Sequence, residues 1–203
     1  MWESQEAVDL ADTLWETINF LTIHASMSLA AEKGAYSLFE GSDWQTGEYF
    51  QKRDYVSEDW QELASQVKAV GLRNAYLVAI APNMSTAQIA NSTASIDPIF
   101  ENFYYEEKKE GRRPIVAPDL DYRTYAYYEK SAVKQDQNAS LRQNAARQRH
   151  VDQAISFNFY VPSAIDKARI LQLHYTAWNL GIKTTYYVRS NDISIQECEW
   201  CSA

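Results

Sequence analysis

Cysteine is nearly missing from this chain: 203 residues contain two, and both lie within the last six, as Cys198-Glu199-Trp200-Cys201. A small secreted scaffold spreads an even set of cysteines through its core, so a disulfide framework is excluded. No stretch of eighteen apolar residues occurs, which leaves no candidate for a membrane-spanning helix. Positive charge is in deficit as well, with 19 Lys and Arg against 27 Asp and Glu and a formal charge of −8. A nucleic-acid-binding surface needs a basic face, and this balance argues against one. The histidines, His24, His150 and His174, lie scattered without ligand spacing, so no metal site is expected. The opening Met1-Trp2-Glu3-Ser4-Gln5-Glu6 is acidic and polar, unlike an export signal. The expectation is a cytoplasmic protein.

What is present points to an ordered domain. Hydrophobic residues make up 46% and aromatics 13%, with 14 Tyr, and only 23% are charged, which excludes disorder. A chain of this length can bury a substantial core. Residues 6 to about 33 predict a helix, with Ala7, Ala11, Leu14, Ile18, Leu21 and Ala25 as its apolar stripe and Trp15 and Leu29 widening it. Gly34 stands where a C-cap belongs. Residues 39–47 read as turn chemistry without an apolar period. Ser57 predicts the cap of a helix that runs to about Val70 and ends at Gly71.

The pattern then changes. Ala75 to Ile80 is a short apolar run that stops at Ala81-Pro82 and reads as a buried strand. A short helix over 86–92 follows, then a charged, proline-containing surface excursion over 106–118, then two polar helical segments between about 121 and 150. Ile155 to Val161 alternates as a second strand and ends at Pro162; a helix over Ser163 to Leu180 is closed by Gly181; Lys183 to Val188 makes a third strand. Strand, helix, strand, helix, strand is an α/β rhythm. Three strands cannot close a barrel, and exposed edges invite pairing with another chain, so completion of a larger sheet is preferred over a small shielded one. One domain covers residues 1–190, and 191–203 form a mobile polar tail.

Three features could carry chemistry. Pro82-Asn83-Met84-Ser85-Thr86 leaves a strand and enters a helix, presenting free amides and two hydroxyls at a positive dipole end; phosphate binding and ordinary N-capping both fit. Tyr186-Tyr187 lies on a predicted strand, where neighbours face opposite sides, so one phenol can enter a site while the other meets a different surface; strand propensity alone also explains it, and Tyr104-Tyr105 and Tyr127-Tyr128 are similar pairs. The terminal C-x-x-C can exchange a disulfide with another dithiol. Half a zinc site is the other reading, favoured less because no second C-x-x-C exists, and chance cysteines stay open. Arg147 to Gln153 reads in isolation as a solvated charged face.

Taken together, these residues resemble the C-terminal part of the large subunit of class I ribonucleotide reductase. The match is carried by Arg73-Asn74 and Ala79 to Thr86, by Ala94-Ser95-Ile96-Asp97-Pro98, by Arg147 to Asn158, by Leu180-Gly181-Ile182-Lys183-Thr184-Thr185-Tyr186-Tyr187 and by the tail dithiol, in the family's order. Gly41 to Phe50 agrees upstream. The resemblance implies the last strands and helices of a ten-stranded α/β barrel with a flexible C-terminal tail. It implies that Pro82, Asn83, Met84, Ser85 and Thr86 hold the diphosphate of a ribonucleoside diphosphate. Tyr186 and Tyr187 would be the stacked pair that relays a radical from a metal-containing small subunit to the catalytic thiol. Cys198 and Cys201 would shuttle reducing equivalents from thioredoxin or a glutaredoxin-like protein, with no cofactor bound by this chain.

The family's radical-bearing cysteine and the two reducing cysteines lie upstream of this region, and Cys198 and Cys201 are the only cysteines here. The expectation is therefore one product of a split gene, cellular or viral (then in the host cytoplasm), preferred over a truncated chain and active only with the N-terminal portion of the large subunit. A different class stays open: a non-catalytic fragment that binds the small subunit or an intact large subunit. A free-standing thiol oxidoreductase fits less well, because the dithiol lies on a tail and not at a helix start after a strand.

Overall fold

The computed structural model describes residues 1–109 and 111–190. The tail with Cys198 and Cys201 lies outside the described residues. The chain divides into two compact units, one of residues 8–79 with 146–154, the other of 1–7, 80–145 and the chain from 155.

The first unit is helical. Helix α1 spans Gln5–Lys33, and Gly34 follows it at φ 80°. Its length matches the sequence pattern, but its buried face does not. Ala11, Asn19, Ile23, Ser26, Met27 and Ala30 point inward, while Leu14 and Leu21 of the predicted stripe are exposed, Leu21 by 60%. Polar residues take the inner face because each has a partner there. Ser26 Oγ donates to Asn74 Oδ1 over 3.0 Å and accepts from the Asn74 amide, and Asn19 is bonded on both amide atoms.

Residues 39–47 are more than a turn. Ser42 caps a single-turn helix α2, Asp43–Thr46, and Gly47 at φ 85° joins it to α3, Glu48–Gln51. This sharp pair of turns buries Trp44, Tyr49 and Phe50, with Trp44 stacked on Tyr49 at 3.6 Å. Helix α4, Glu58–Val70, starts as expected at Ser57, whose hydroxyl accepts from the Trp60 amide. It buries Trp60, Leu63 and Val67, one side of the helix at i, i+3 and i+7. Gly71 ends it at φ 92°, and a Cβ placed there would lie 2.6 Å from Ala35 Cβ. Only glycine meets both demands.

The predicted strand over Ala75–Ile80 is not a strand. Asp152 carboxylate oxygens accept from the Leu77 and Val78 amides, both over 2.7 Å, and Val78 O accepts from Gln153 N. A side chain therefore holds the amides that a sheet neighbour would need. Ile80 alone forms a parallel bridge, to Ile155, within the second unit.

In the second unit, α5 spans Met84–Ile89. The expected surface excursion is an antiparallel hairpin, β1 Phe103–Lys108 and β2 Gly111–Val116, with Phe103 opposite Val116 and Lys108 opposite Gly111. Its charges are cross-strand partners: Arg113 meets Glu106 at 3.2 Å, and Arg112 lies 4.0 Å over the Tyr105 ring. The two polar helical segments resolve into a single turn, α6 Tyr125–Tyr128, a 3-10 turn over Ala132–Lys134, and α7, Gln137–His150.

Strand β3, Phe159–Val161, pairs in parallel with β4, Val188–Ser190, and α8, Lys167–Asn179, connects them. This strand–helix–strand unit is the α/β element the pattern implied. The strands are shorter than expected, and β4 begins where the third predicted strand ends. Phe157, Phe159, Ile155 and Leu173 are fully buried at its centre; burying such side chains contributes about 1.5–3 kcal/mol each. Both faces of β3 are buried, as parallel strands require.

Candidate functional site

Pro82, Asn83, Met84, Ser85 and Thr86 are all exposed. Asn83 stands at the N-cap of α5 without a side-chain capping bond, and the first helical bond runs from Ala87 N to Asn83 O over 3.1 Å. Met84, Ser85 and Thr86, which bring three amides and two hydroxyls to the start of α5, are exposed residues. The ordinary cap is absent. Behind α5 lies a cavity of about 210 Å³ bordered by Met84, Ala87, Gln88, Tyr104 and Tyr160. It is smaller than the usual space for a nucleotide-sized ligand, roughly 300–1,000 Å³.

Tyr186 and Tyr187 do not face opposite sides. Their ring centroids lie 4.1 Å apart, tilted by 50°, and Tyr187 Oη donates to Tyr186 Oη over 3.3 Å. The cause is in the backbone. In a regular parallel ladder, the carbonyl before a residue and the amide after it bond the same residue across the sheet. Here Phe157 O accepts from Tyr186 N, whereas Phe159 N donates to Tyr187 O, both over 2.8 Å. Two residues face Asn158 where one belongs, which is a β-bulge, and a bulge re-aims side chains. Tyr104 and Tyr105 supply the contrast: they sit in regular register in β1, and their rings pack apart, on Phe100 and Phe103.

Around the bulge lies a polar cluster that sequence reasoning missed. Asn158 Oδ1 accepts from Tyr187 N over 3.2 Å, and its Nδ2 donates to Asp97 Oδ2 over 2.5 Å. Tyr160 Oη donates to the same Asp97 oxygen over 3.3 Å. Burial raises the Asp97 carboxyl above its ordinary value, against these hydrogen bonds, which lower it. Burial likewise raises the Tyr160 phenol. Asp97 and Asn158 both fall within the stretches quoted above, but strand alternation puts Asn158 on the polar side, and no periodicity marks it as buried.

The run Arg147 to Gln153 is not a solvated face either. His150 is fully buried and Gln148 nearly so. In the helical unit, Tyr49 Oη donates to Asn19 Oδ1, Asn19 Nδ2 donates to Tyr55 Oη, Tyr55 Oη meets His150 Nδ1 at 2.5 Å, and His150 Nε2 meets Asp12 Oδ1 at 2.8 Å. The carboxylate can only accept, so Nε2 carries the proton and Nδ1 accepts from Tyr55. Every donor thus points toward Asp12. Burial holds His150 below its ordinary value, although Asp12 pulls the other way. Asp12, Glu16 and His150 form the candidate metal-ligand group found among the described residues. Both His150 nitrogens are already bonded, and Glu16 Oε1 accepts from Trp60 Nε1 over 2.7 Å. The hydrogen-bonded chain accounts for the group.

The molecule thus combines a parallel strand–helix–strand unit, an exposed loop of amides and hydroxyls, and a bulged tyrosine pair. The family model "Ribonucleotide reductase, barrel domain" matches residues 1–188, and the chain belongs to that family. It is 48% identical to ribonucleoside-diphosphate reductase subunit alpha of Treponema pallidum over 202 residues, covering 100% of this chain and 24% of that protein. Its identity to the same subunit of Helicobacter pylori strain J99 is 36% over 210 residues, covering 97% and 26%. A reductase subunit alpha of Bacillus phage SPbeta is 31% identical over 221 residues, covering 98% and 20%. The chain spans about a quarter of the length of the first two relatives. No helix among the described residues is long and apolar enough to cross a membrane.

Proposed function

We propose that this chain is the C-terminal component of a class I ribonucleoside-diphosphate reductase large subunit, acting in the radical reduction of ribonucleotides to deoxyribonucleotides. The observation that carries this reading is the contact of the Tyr186 and Tyr187 phenols, 3.3 Å between oxygens. A hydrogen atom passes between them: one phenol loses it and becomes a phenoxyl radical, as the other phenoxyl gains it and becomes a phenol. Electron and proton move together, so neither phenol is left charged. The radical enters from a metal-containing small subunit and leaves toward a thiol outside this chain.

Pro82 to Thr86 hold the substrate diphosphate. The Met84, Ser85 and Thr86 amides and the Ser85 and Thr86 hydroxyls donate to its oxygens, at a helix start where the backbone dipole favours negative charge. Residues 191–203 act as a redox tail beside a barrel portion over 1–190. A Cys198 or Cys201 thiolate attacks the active-site disulfide left by turnover, the partner thiol closes the ring, and the new Cys198–Cys201 disulfide is reduced by thioredoxin or a glutaredoxin-like protein. With only these two cysteines in 203 residues, the chain works with the N-terminal portion of the large subunit, supplied in a split enzyme as a second polypeptide.

The test is co-expression with such an N-terminal portion, purification of the complex, and a ribonucleoside diphosphate reduction assay with the small subunit. Deoxynucleotide formed by the complex and by neither half alone is the expected result. A stable complex without activity would refute the catalytic reading and leave an interaction module.

A further inference from the structure

The bulge that brings the tyrosine rings together leaves one amide outside the ladder, that of Tyr187, and Asn158 takes it with its side chain. We propose that Asn158, braced by Asp97, is the positioning residue that holds this bulge open and so keeps Tyr186 and Tyr187 in contact. The functional weight of that contact rests on the relay reading above.

The argument runs outward from the amide. In the unbulged ladder, Phe157 O would accept from Tyr187 N; here it accepts from Tyr186 N, and Tyr187 N, left outside the ladder, takes a substitute acceptor in a partly buried hydrogen bond. An amide shielded from water and left without an acceptor is unfavourable. Asn158 Oδ1 is that substitute, and it can serve only while the side-chain amide is turned one way. Asp97 sets the turn. Asn158 Nδ2 donates to Asp97 Oδ2, so a flipped amide would aim its oxygen at a carboxylate and its NH2 at the Tyr187 N–H. Tyr160 Oη donates to the same oxygen. Asn158 is 4% exposed and Asp97 5%, so water does not replace either bond freely. Without this bracket the ladder reverts to regular register, and neighbouring side chains again face opposite sides.

The test uses the complete 203-residue chain and needs no turnover. Amide hydrogen exchange is followed at Tyr187, with the ladder amides of Tyr186 and Phe159 as controls, together with the nuclear Overhauser contact between the two tyrosine rings. In Asn158→Ala, Tyr187 exchange rises about tenfold or more relative to both controls, and the ring contact is lost. Asp97→Ala does the same although Asp97 bonds Asn158; Asp97→Asn, which keeps an oxygen toward Asn158, stays within about threefold of the parent. Should Asn158→Ala fail to fold, the two Asp97 variants decide. Three outcomes overturn the proposal: Tyr187 keeping pace with the controls in the alanine variants, all three amides accelerating equally, or Asp97→Asn behaving like Asp97→Ala. Normal turnover in Tyr187→Phe, by contrast, would remove the relay and leave the bracket standing.

Discussion

Tyr55→Phe removes one oxygen from the middle of the hydrogen-bonded chain that runs from Tyr49 to Asp12. The ring remains, and with it the face-to-face stack on Trp60 at 3.8 Å, so the change isolates the hydroxyl. Two buried groups lose their partner: His150 Nδ1, which Tyr55 contacts at 2.5 Å, and Asn19 Nδ2, which donates to Tyr55 Oη over 3.0 Å. Leaving a buried polar group unpaired costs about 1–3 kcal/mol each. Part is regained because phenylalanine has no hydroxyl to desolvate, so the expected loss is about 1–5 kcal/mol. Urea unfolding of the complete chain reads this directly. With a slope of about 1–3 kcal/mol/M the midpoint should fall by roughly 0.3 M or more, while the slope itself stays constant. A loss under about 0.5 kcal/mol, the range of a surface substitution, would refute the claim that the chain is continuous through Tyr55.

The same chain makes stability depend on acid. Burial lowers the His150 pKa in the folded state, so the unfolded state binds the extra proton, and stability is full above about 6.5 and falls as pH drops through and below that value; a His150→Gln variant measured between pH 7.5 and 5.5 should show a flatter profile. Gly71→Ala forces a Cβ to 2.6 Å from Ala35 Cβ at φ 92° and should destabilise by at least about 2 kcal/mol in a thermal melt; an unchanged melting temperature would contradict the packing described. In the assembled enzyme, Tyr187→Phe should abolish turnover, a loss of at least about a thousandfold, with substrate affinity nearly intact by equilibrium binding; normal turnover would end the relay assignment. Cys198→Ser should spare turnover driven by a small dithiol and stop turnover driven by thioredoxin, and equal loss with both reductants would remove the shuttle role.

Several helix ends were legible because a cap is a local matter, although α8 starts at Lys167, capped by Asp166, and not at Ser163. Ser57 and Gly71 bracket α4 as their chemistry requires, and Gly34 and Gly181 close α1 and α8. Which face a helix buries was not local. In α1 the leucines look like the core stripe, yet Asn19 and Ser26 take the interior because Tyr49, Tyr55 and Asn74 wait for them. The hairpin was hidden for a related reason: Glu106 and Arg113 read as a charged loop until they are seen as opposite partners. Ala75 to Ile80 has strand composition, but Asp152, more than seventy residues away, claims its amides. The tyrosine pair and the Pro82–Thr86 loop could be singled out in advance by residue type and resemblance. The bulge that turns both rings to one side could not, since it is a property of register between β3 and β4.

That register has a consequence for where a slow step can arise. Tyr186 and Tyr187 share a peptide bond, so while the bulge against Phe157 and Phe159 holds, the gap between their phenols is set by a few side-chain torsions. Breathing of helices or hinge motion elsewhere leaves that gap unchanged. In the proposed relay, motions that leave the bulge intact do not throttle this link, and a gate of that kind acts at a hop that crosses from this chain to something else. Changes in viscosity or temperature that slow large motions should therefore act on entry and exit of the radical, and leave the exchange between the two neighbours fast.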